Sequence, residues 1–383
     1  MATEKLYYQN SHLQEFSAVV TGCRPGKHGW DVTLDRTAFY PEGGGQPGDQ
    51  GTLGGVAVTD THEANGEIVH YCDGPLDVGA VVEGRIDWER RFDLMQQHSG
   101  EHILSGLIHG AYGYDNVGFH MGRDVVTIDF SGMLDEAQLA ELERQTNQMI
   151  WRNDPVEVFW PEPEELARLP YRSKKALEGP VRLVRFPGAD LCACCGTHVD
   201  RTGEIGLVKL LSCQKFHQGV RIEMLAGGRA LEYLTGVCDQ NRQISGLLSA
   251  KPLETAAAAA RMQQELGETK YRLGQAQDKL FRQQAESLRD AGDVLLFEDG
   301  LKPDGLRRLA DAVMGTCGGR CAVFSGTADG YQYAMGQENG DLRALVKELN
   351  RALDGRGGGK PGFVQGSVRA GRAEIEAFFR RLD

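Results

Sequence analysis

RRFDLMQQHSGEHILSGLIHG, residues 90 to 110, is the stretch on which the reading of this chain turns. It has helical character and sets His98 and His102 four residues apart, so the two imidazoles lie on adjacent turns of one face. On a helical wheel Phe92, Met95, Ser99, Ile103 and Leu107 gather into a core-facing stripe. Both histidines sit at its edge, where a cleft can open. Asp87 is placed to cap the helix, and Gly110 and Gly113 to end it. Two imidazoles at this spacing suit a metal, but alone the pattern is weak and more often marks two hydrogen-bonded core histidines.

A second cluster favours the metal. In DLCACCGTHV, residues 190 to 199, Cys194 and His198 again stand four apart. The two pairs make a tetrahedral set of nitrogen and sulfur donors, the kind zinc takes, whereas magnesium and calcium prefer oxygen. The opposing reading is a pair of inert buried cysteines beside two unrelated histidines.

Composition bounds the rest. The 383 residues allow two or three domains, and 41% hydrophobic with 25% charged residues is ordinary for a globular protein. No run of eighteen apolar residues and no apolar signal core occur, so the expected compartment is the cytoplasm, with no membrane partner. Nine cysteines, three of them at 192, 194 and 195, suit a reducing compartment and metal ligation. The net charge of −12 opposes bulk electrostatic binding of nucleic acid. Residues 293–383 hold 13 acidic and 13 basic residues, so the excess lies in the first 292 and the tail is better placed to meet phosphate.

H-x-x-x-H on a helix, followed far downstream by C-x-x-x-H with Gly-Thr inside it, resembles the editing domain of alanyl-tRNA synthetases and their free-standing relatives, the AlaX proteins. TAFYPEGGGQPGDQG (37–51), TGEIG (202–206) and GVRIE (219–223) agree in order. The tail resembles the DHHA1 domain that ends alanyl-tRNA synthetases, most specifically in GRGGGKPGFVQG (355–366), which points to the long AlaX form.

The expected fold is α+β. Short alternating strands between Gly-rich turns predict a small N-terminal β-barrel with the Gly-rich loop over residues 1–86. An α+β zinc-dependent editing domain follows over 87–235, with Cys194 and His198 on a loop between strands. Residues 236–292 read as a long helical linker arm. Its Leu266, Leu273 and Leu280 repeat every seven residues, but Thr269, Ala276 and Gln283 leave the heptad incomplete; a short coiled coil or helix pair is the next reading. Residues 293–383 alternate helix and strand as a C-terminal α/β DHHA1-like domain with buried strands. Its glycine loop, beside Arg356 and Lys360, suits either a phosphate or a tight turn against the sheet.

The resemblance implies a trans-editing hydrolase, a zinc-dependent aminoacyl-tRNA deacylase that removes serine, possibly glycine, from mischarged tRNA(Ala). The chain has no room for the synthetase's aminoacylation domain. One Zn²⁺ is implied, with His98, His102 and Cys194 as ligands and His198 either the fourth ligand or a base that positions water. A thiolate shifted to Cys192 or Cys195 stays open. Three protein ligands would leave a place for water; four would make the metal an organiser or an anchor for the substrate's amino or hydroxyl group. Thr37 matches the threonine that recognises the serine hydroxyl. Asn116, Gly118 and His120 match a stretch lining the same pocket, His120 being equally a core histidine. Gly43, Gly44, Gly45 and Gln46 match a loop that contacts the terminal adenosine, with a flexible hairpin as the opposing reading. Arg356 and Lys360 would meet tRNA, and the C-terminal region could pair two chains into a homodimer. The alternatives are a tRNA-binding or regulatory protein with a structural zinc, and a zinc hydrolase for another mischarged tRNA.

Overall fold

The computed structural model describes residues 3–64, 66–173, 179–327 and 329–382. By contacts the chain divides into two compact units, residues 1–242 and 243–383.

The first unit begins with β1 (Glu4–Lys5), β2 (Glu15–Gly26), β3 (Gly29–Leu34), β4 (Arg36–Thr37), β5 (Gly51–Leu53), β6 (Val56–Ala64), β7 (Glu67–Cys72) and β8 (Val81–Ile86). Strict alternation in the first half of β2 and along β8 buries every second residue, and β2, β3, β7, β6, β5 and β8 close in that order into a barrel. Phe16, Val20, Val32, Leu34, Phe39 and Leu53 fill it.

Helix α1 (Trp88–Tyr112) follows, capped by the Asp87 carboxylate on the Arg90 amide and ended by Gly113 at φ 68. It packs beside the sheet β14-β15-β10-β9, built from β9 (Asn116–Met121), β10 (Val126–Phe130), β14 (Val208–Phe216) and β15 (Gly219–Ala226). Its flank meets α2 (Glu136–Trp151) and the sheet of β11 (Glu157–Phe159), β12 (Leu183–Phe186) and β13 (Asp190–Ala193); α3 (Pro163–Leu166) is a single turn. The predicted stripe is only part of what α1 buries: Glu101, His98, His102 and Ser105 are inside as well. Arg91 is fully buried too. Its Nε donates to both Asp49 oxygens at 2.9 Å, and its other nitrogens reach Asp49, the Ser11 carbonyl and the Ala38 carbonyl. This paired charge fixes the 37–51 stretch against the helix.

Helix α4 (Gly227–Leu248) carries the boundary between the units, and α5 (Thr255–Ser287) is long because its Ala, Gln, Glu and Leu content favours helix. Leu266, Leu273 and Leu280 are each more than half exposed, while Phe281 and Ala285 at the far end enter the tail core. The second unit continues with β16 (Gly292–Phe297), α6 (Pro303–Met314), β17 (Gly318–Thr327), β18 (Gly330–Gly336), α7 (Arg343–Ala352), β19 (Arg356–Lys360), β20 (Phe363–Val368) and α8 (Arg372–Phe379). The sheet order is β16-β17-β18-β20-β19, with one parallel pair, β16 and β17, and the rest antiparallel. The buried-strand expectation needs correction at β19. RGGGK is no loop but an edge strand, exposed at all five positions and hairpinned to β20. Gly357 and Gly366 lie so close to the Tyr333 hydroxyl that a Cβ at either would meet it within 2.6 Å, which accounts for glycine there. No helix among the described residues is long and apolar enough to cross a membrane.

Candidate metal centre

His98, His102, Cys194 and His198 converge, one donor atom from each lying within 4.8 Å of the others. His98 and His102 come from adjacent turns of α1. Cys194 and His198 come from the loop after β13, where a Cβ at Gly196 would stand 2.2 Å from the His98 ring, so only glycine lets the loop approach. The Nε2 atoms of His98 and His198 lie 3.5 and 3.3 Å from Cys194 Sγ. Each Nδ1 is held from behind: His98 by Gln46 Oε1 at 2.9 Å, His102 by Asp190 Oδ2 at 2.9 Å, His198 by Ser99 Oγ at 3.1 Å. The amide oxygen and carboxylate can only accept, so His98 and His102 carry their protons on Nδ1 and turn Nε2 inward.

The electrostatics suit a cation. Burial alone would raise the Cys194 thiol, but the three imidazoles outweigh it and hold the thiol well below its ordinary value. Burial lowers His102, yet Cys194 and the Asp190 carboxylate lift it to about 9. Burial and the neighbouring His98 push His198 down to about 3. Asp190 is buried and stays below the usual carboxylate range despite that burial, because His102 and Arg172 bond it; Arg172 Nε and Nη2 reach it at 2.7 and 2.8 Å. One thiolate and three imidazoles, oriented and desolvated together, form a donor set that fits zinc.

Cys194, not its neighbours, supplies the sulfur at this centre. Cys192 sits with Asp190 on the outer side of His102, its thiol pushed up by burial; Cys195 is exposed, 4.0 Å from the Tyr40 hydroxyl. The glycine loop forms a tight turn, Gly43 bridging Gln46, and Gly44 and Gly45 take φ of 60 and 87. Their exposed backbone stands against Cys195 and Phe119. Gln46 is turned inward instead. It is fully buried, its Oε1 accepting from the Thr197 amide as well as meeting His98, its Nε2 donating to Thr197 Oγ1 at 2.7 Å. It supports the centre and is not placed to read a nucleotide.

Phe119 stacks on His98 at 5.3 Å and Phe186 on His102 at 5.5 Å, walling the imidazoles. His120 pairs with Thr127, on the opposite face of β9 from Phe119, and is exposed; it is neither in the core nor at the centre. Thr37 is fully buried in the barrel unit. Its hydroxyl lies 2.8 Å from His70 Nε2 and accepts from the Phe39 amide. His70 Nδ1 donates to the Val32 carbonyl, so Nε2 is the acceptor and the Thr37 O–H is the donor. Among the supporting residues, Asp190 stands in the cysteine stretch, Ser99 in the helix stretch and Phe119 within residues 116–120; Arg172 carries no motif signal.

Residues 181–223 match the model of the threonyl and alanyl tRNA synthetase second additional domain, 2–90 that of class II (A) tRNA synthetases, and 291–383 that of the DHHA1 domain. The alanyl-tRNA editing protein AlaX-L of Pyrococcus horikoshii is 29% identical over 97% of this chain and 96% of its own length. The chain is similar to the AlaX-type alanyl-tRNA editing proteins over nearly its whole length. Editing protein Aarsd1 of Danio rerio matches equally, at 29% over 97% of the chain and 96% of the relative. The alanine–tRNA ligase of Halorubrum lacusprofundi is 33% identical over 95% of this chain, which spans only 42% of the ligase.

Proposed function

We propose that the chain deacylates mischarged tRNA(Ala) in trans, with Ser-tRNA(Ala) as the main substrate and Gly-tRNA(Ala) as the second, at one zinc held by His98, His102, Cys194 and His198. The observation that carries this reading is the convergence of four donors, each imidazole braced through Nδ1, in a chain similar end to end to alanyl-tRNA editing proteins. Held by these four side chains, zinc would supply a fixed positive charge that orders the cleft and stabilises negative charge developing on the ester. His198 is then a ligand rather than a base, since its Nε2 faces the same sulfur as His98. The exposed backbone of Gly44 and Gly45 at the rim lets the 3′-terminal adenosine approach closely, and Phe119 and Phe186 keep water from the imidazoles. Arg356 and Lys360 give the tail its hold on tRNA phosphates, and the tail joins two chains.

For Thr37 the role narrows. With its O–H given to His70, it can serve a serine hydroxyl only through its remaining lone pair, as an acceptor. Thr37→Val should therefore narrow the preference for Ser- over Ala-tRNA(Ala) by about 1–2 kcal/mol, read as the ratio of the two rates.

Four converging protein donors are also the pattern of a structural zinc, which favours the regulatory alternative as the second reading. Deacylation of Ser-, Gly- and Ala-charged tRNA(Ala), measured side by side with and without a chelator, separates them. Selective clearance of Ser-tRNA(Ala), lost with the metal, is expected. Intact esters in all three reactions would overturn the hydrolase.

A further inference from the structure

Three further polar side chains lie beside the centre. Glu101 lies in α1 between the two histidines and is 1% exposed; Ser105, one turn on, is fully buried. At about 100° per residue both flank the His98–His102 stripe. The Ser105 hydroxyl donates to Glu101 Oε1 at 2.6 Å. The Asn116 amide nitrogen donates to the same oxygen at 2.5 Å and to Ser105 Oγ at 3.1 Å.

Asn116 reaches them because of a bulge. Along β9 and β10, His120 opposes Thr127, Phe119 opposes Ile128 and Gly118 opposes Asp129, but Phe130 is opposed by Asn116, leaving Val117 as an extra residue. That insertion shifts the face parity and turns Asn116 to the side of Phe119, Ile128 and Phe130, toward the helix; without it Asn116 would share the outward face of His120. So aimed, its Oδ1 is buried without a hydrogen-bond partner, in a residue 8% exposed. A native fold rarely leaves a buried acceptor orphaned unless a ligand or water fills it.

The geometry points to a subsite for the substrate's α-ammonium group: Glu101 and Asn116 bind the charged amine of the aminoacyl ester. This rests on the deacylase reading above. A carboxylate and an amide oxygen are acceptors, and an ammonium carries three N–H donors and no lone pair. A neutral hydroxyl offers one donor and sets its own lone pairs against the carboxylate. A protonated amine has no lone pair to give a metal, so its acceptors must come from the protein. Glu101 flanks the histidine stripe, and its buried carboxyl oxygens are acceptors for the only cation an aminoacyl ester brings.

The test compares tRNA(Ala) charged with serine against tRNA(Ala) esterified with glyceric acid, in which a hydroxyl replaces the amine without added bulk. Each kcat/KM is divided by the uncatalysed hydrolysis rate of the same ester. The intact chain should favour the serine ester by at least about tenfold, the lower end for a hydrogen bond to a charged group. Glu101→Gln and Asn116→Leu should each lower the serine value by about tenfold to a hundredfold and narrow the ratio by as much. Equal normalised rates for the two esters in the intact chain would overturn the proposal without any variant. Variants that lower both esters alike, keeping the ratio, would also overturn it and assign the pair to structure. Absence of hydrolysis of both esters by the intact chain would overturn the deacylase reading itself, and the subsite with it.

Discussion

The surroundings of α1 and the strand β19 are both dense in polar residues, and the fold treats them oppositely. Gln46, Glu101, His98, His102, Asp190 and His198 are buried; Arg356 and Lys360 stand on a fully exposed edge. A buried polar atom must find a partner, so hydrogen bonds assign each side chain around α1 a role. An exposed strand such as β19 is under no such obligation.

The sharpest contrast is in pH. His70 is buried among Val32, Thr37 and Phe39, and burial depresses it to about 4. Between pH 6.5 and 4 the unfolded chain takes up a proton that the folded chain refuses. This contribution is therefore absent above about 6.5 and costs stability as pH falls, by up to about 3 kcal/mol near pH 4. His70→Gln should flatten that part of the stability profile in denaturant titrations. An unchanged slope would show that the barrel histidine is hydrated.

Next in size is the bracing of the centre. Gln46→Met removes the bonds to His98 and Thr197 and should weaken metal binding by about 10- to 100-fold in chelator competition, the usual effect of losing a ligand's support. A change in KM for tRNA with metal affinity intact would return Gln46 to the substrate.

The smallest effect belongs to β19. Replacing Arg356 and Lys360 together should leave stability within about 0.5 kcal/mol, as for exposed sites. The salt dependence of tRNA binding should flatten by roughly 1 to 2 units of log-log slope. Equal slopes in titrations at several salt concentrations would leave the hairpin a structural edge, like its close-packed Gly357 and Gly366.

Local signals were legible in the sequence and tertiary ones were not. The span of α1, its Asp87 cap and its Gly113 end follow from short-range chemistry, as does the four-residue spacing of each pair at the centre. The bonds from Gln46 to His98 and from Asp190 to His102 cross 52 and 88 residues, and no spacing announces them. The bulge that turns Asn116 inward depends on register with β10. RGGGK read as a loop because glycine disfavours strands; its pairing comes from the backbone ladder with β20, and the Tyr333 hydroxyl leaves no room for a side chain at Gly357.

The central claim is that one metal is held by four side chains with Cys194 as its sulfur, and elemental analysis of the purified Cys194→Ala protein beside the intact chain tests it most directly. One zinc per intact chain and loss of zinc from the variant is the result predicted. A full zinc equivalent retained by Cys194→Ala would contradict it and move the thiolate to Cys192 or Cys195.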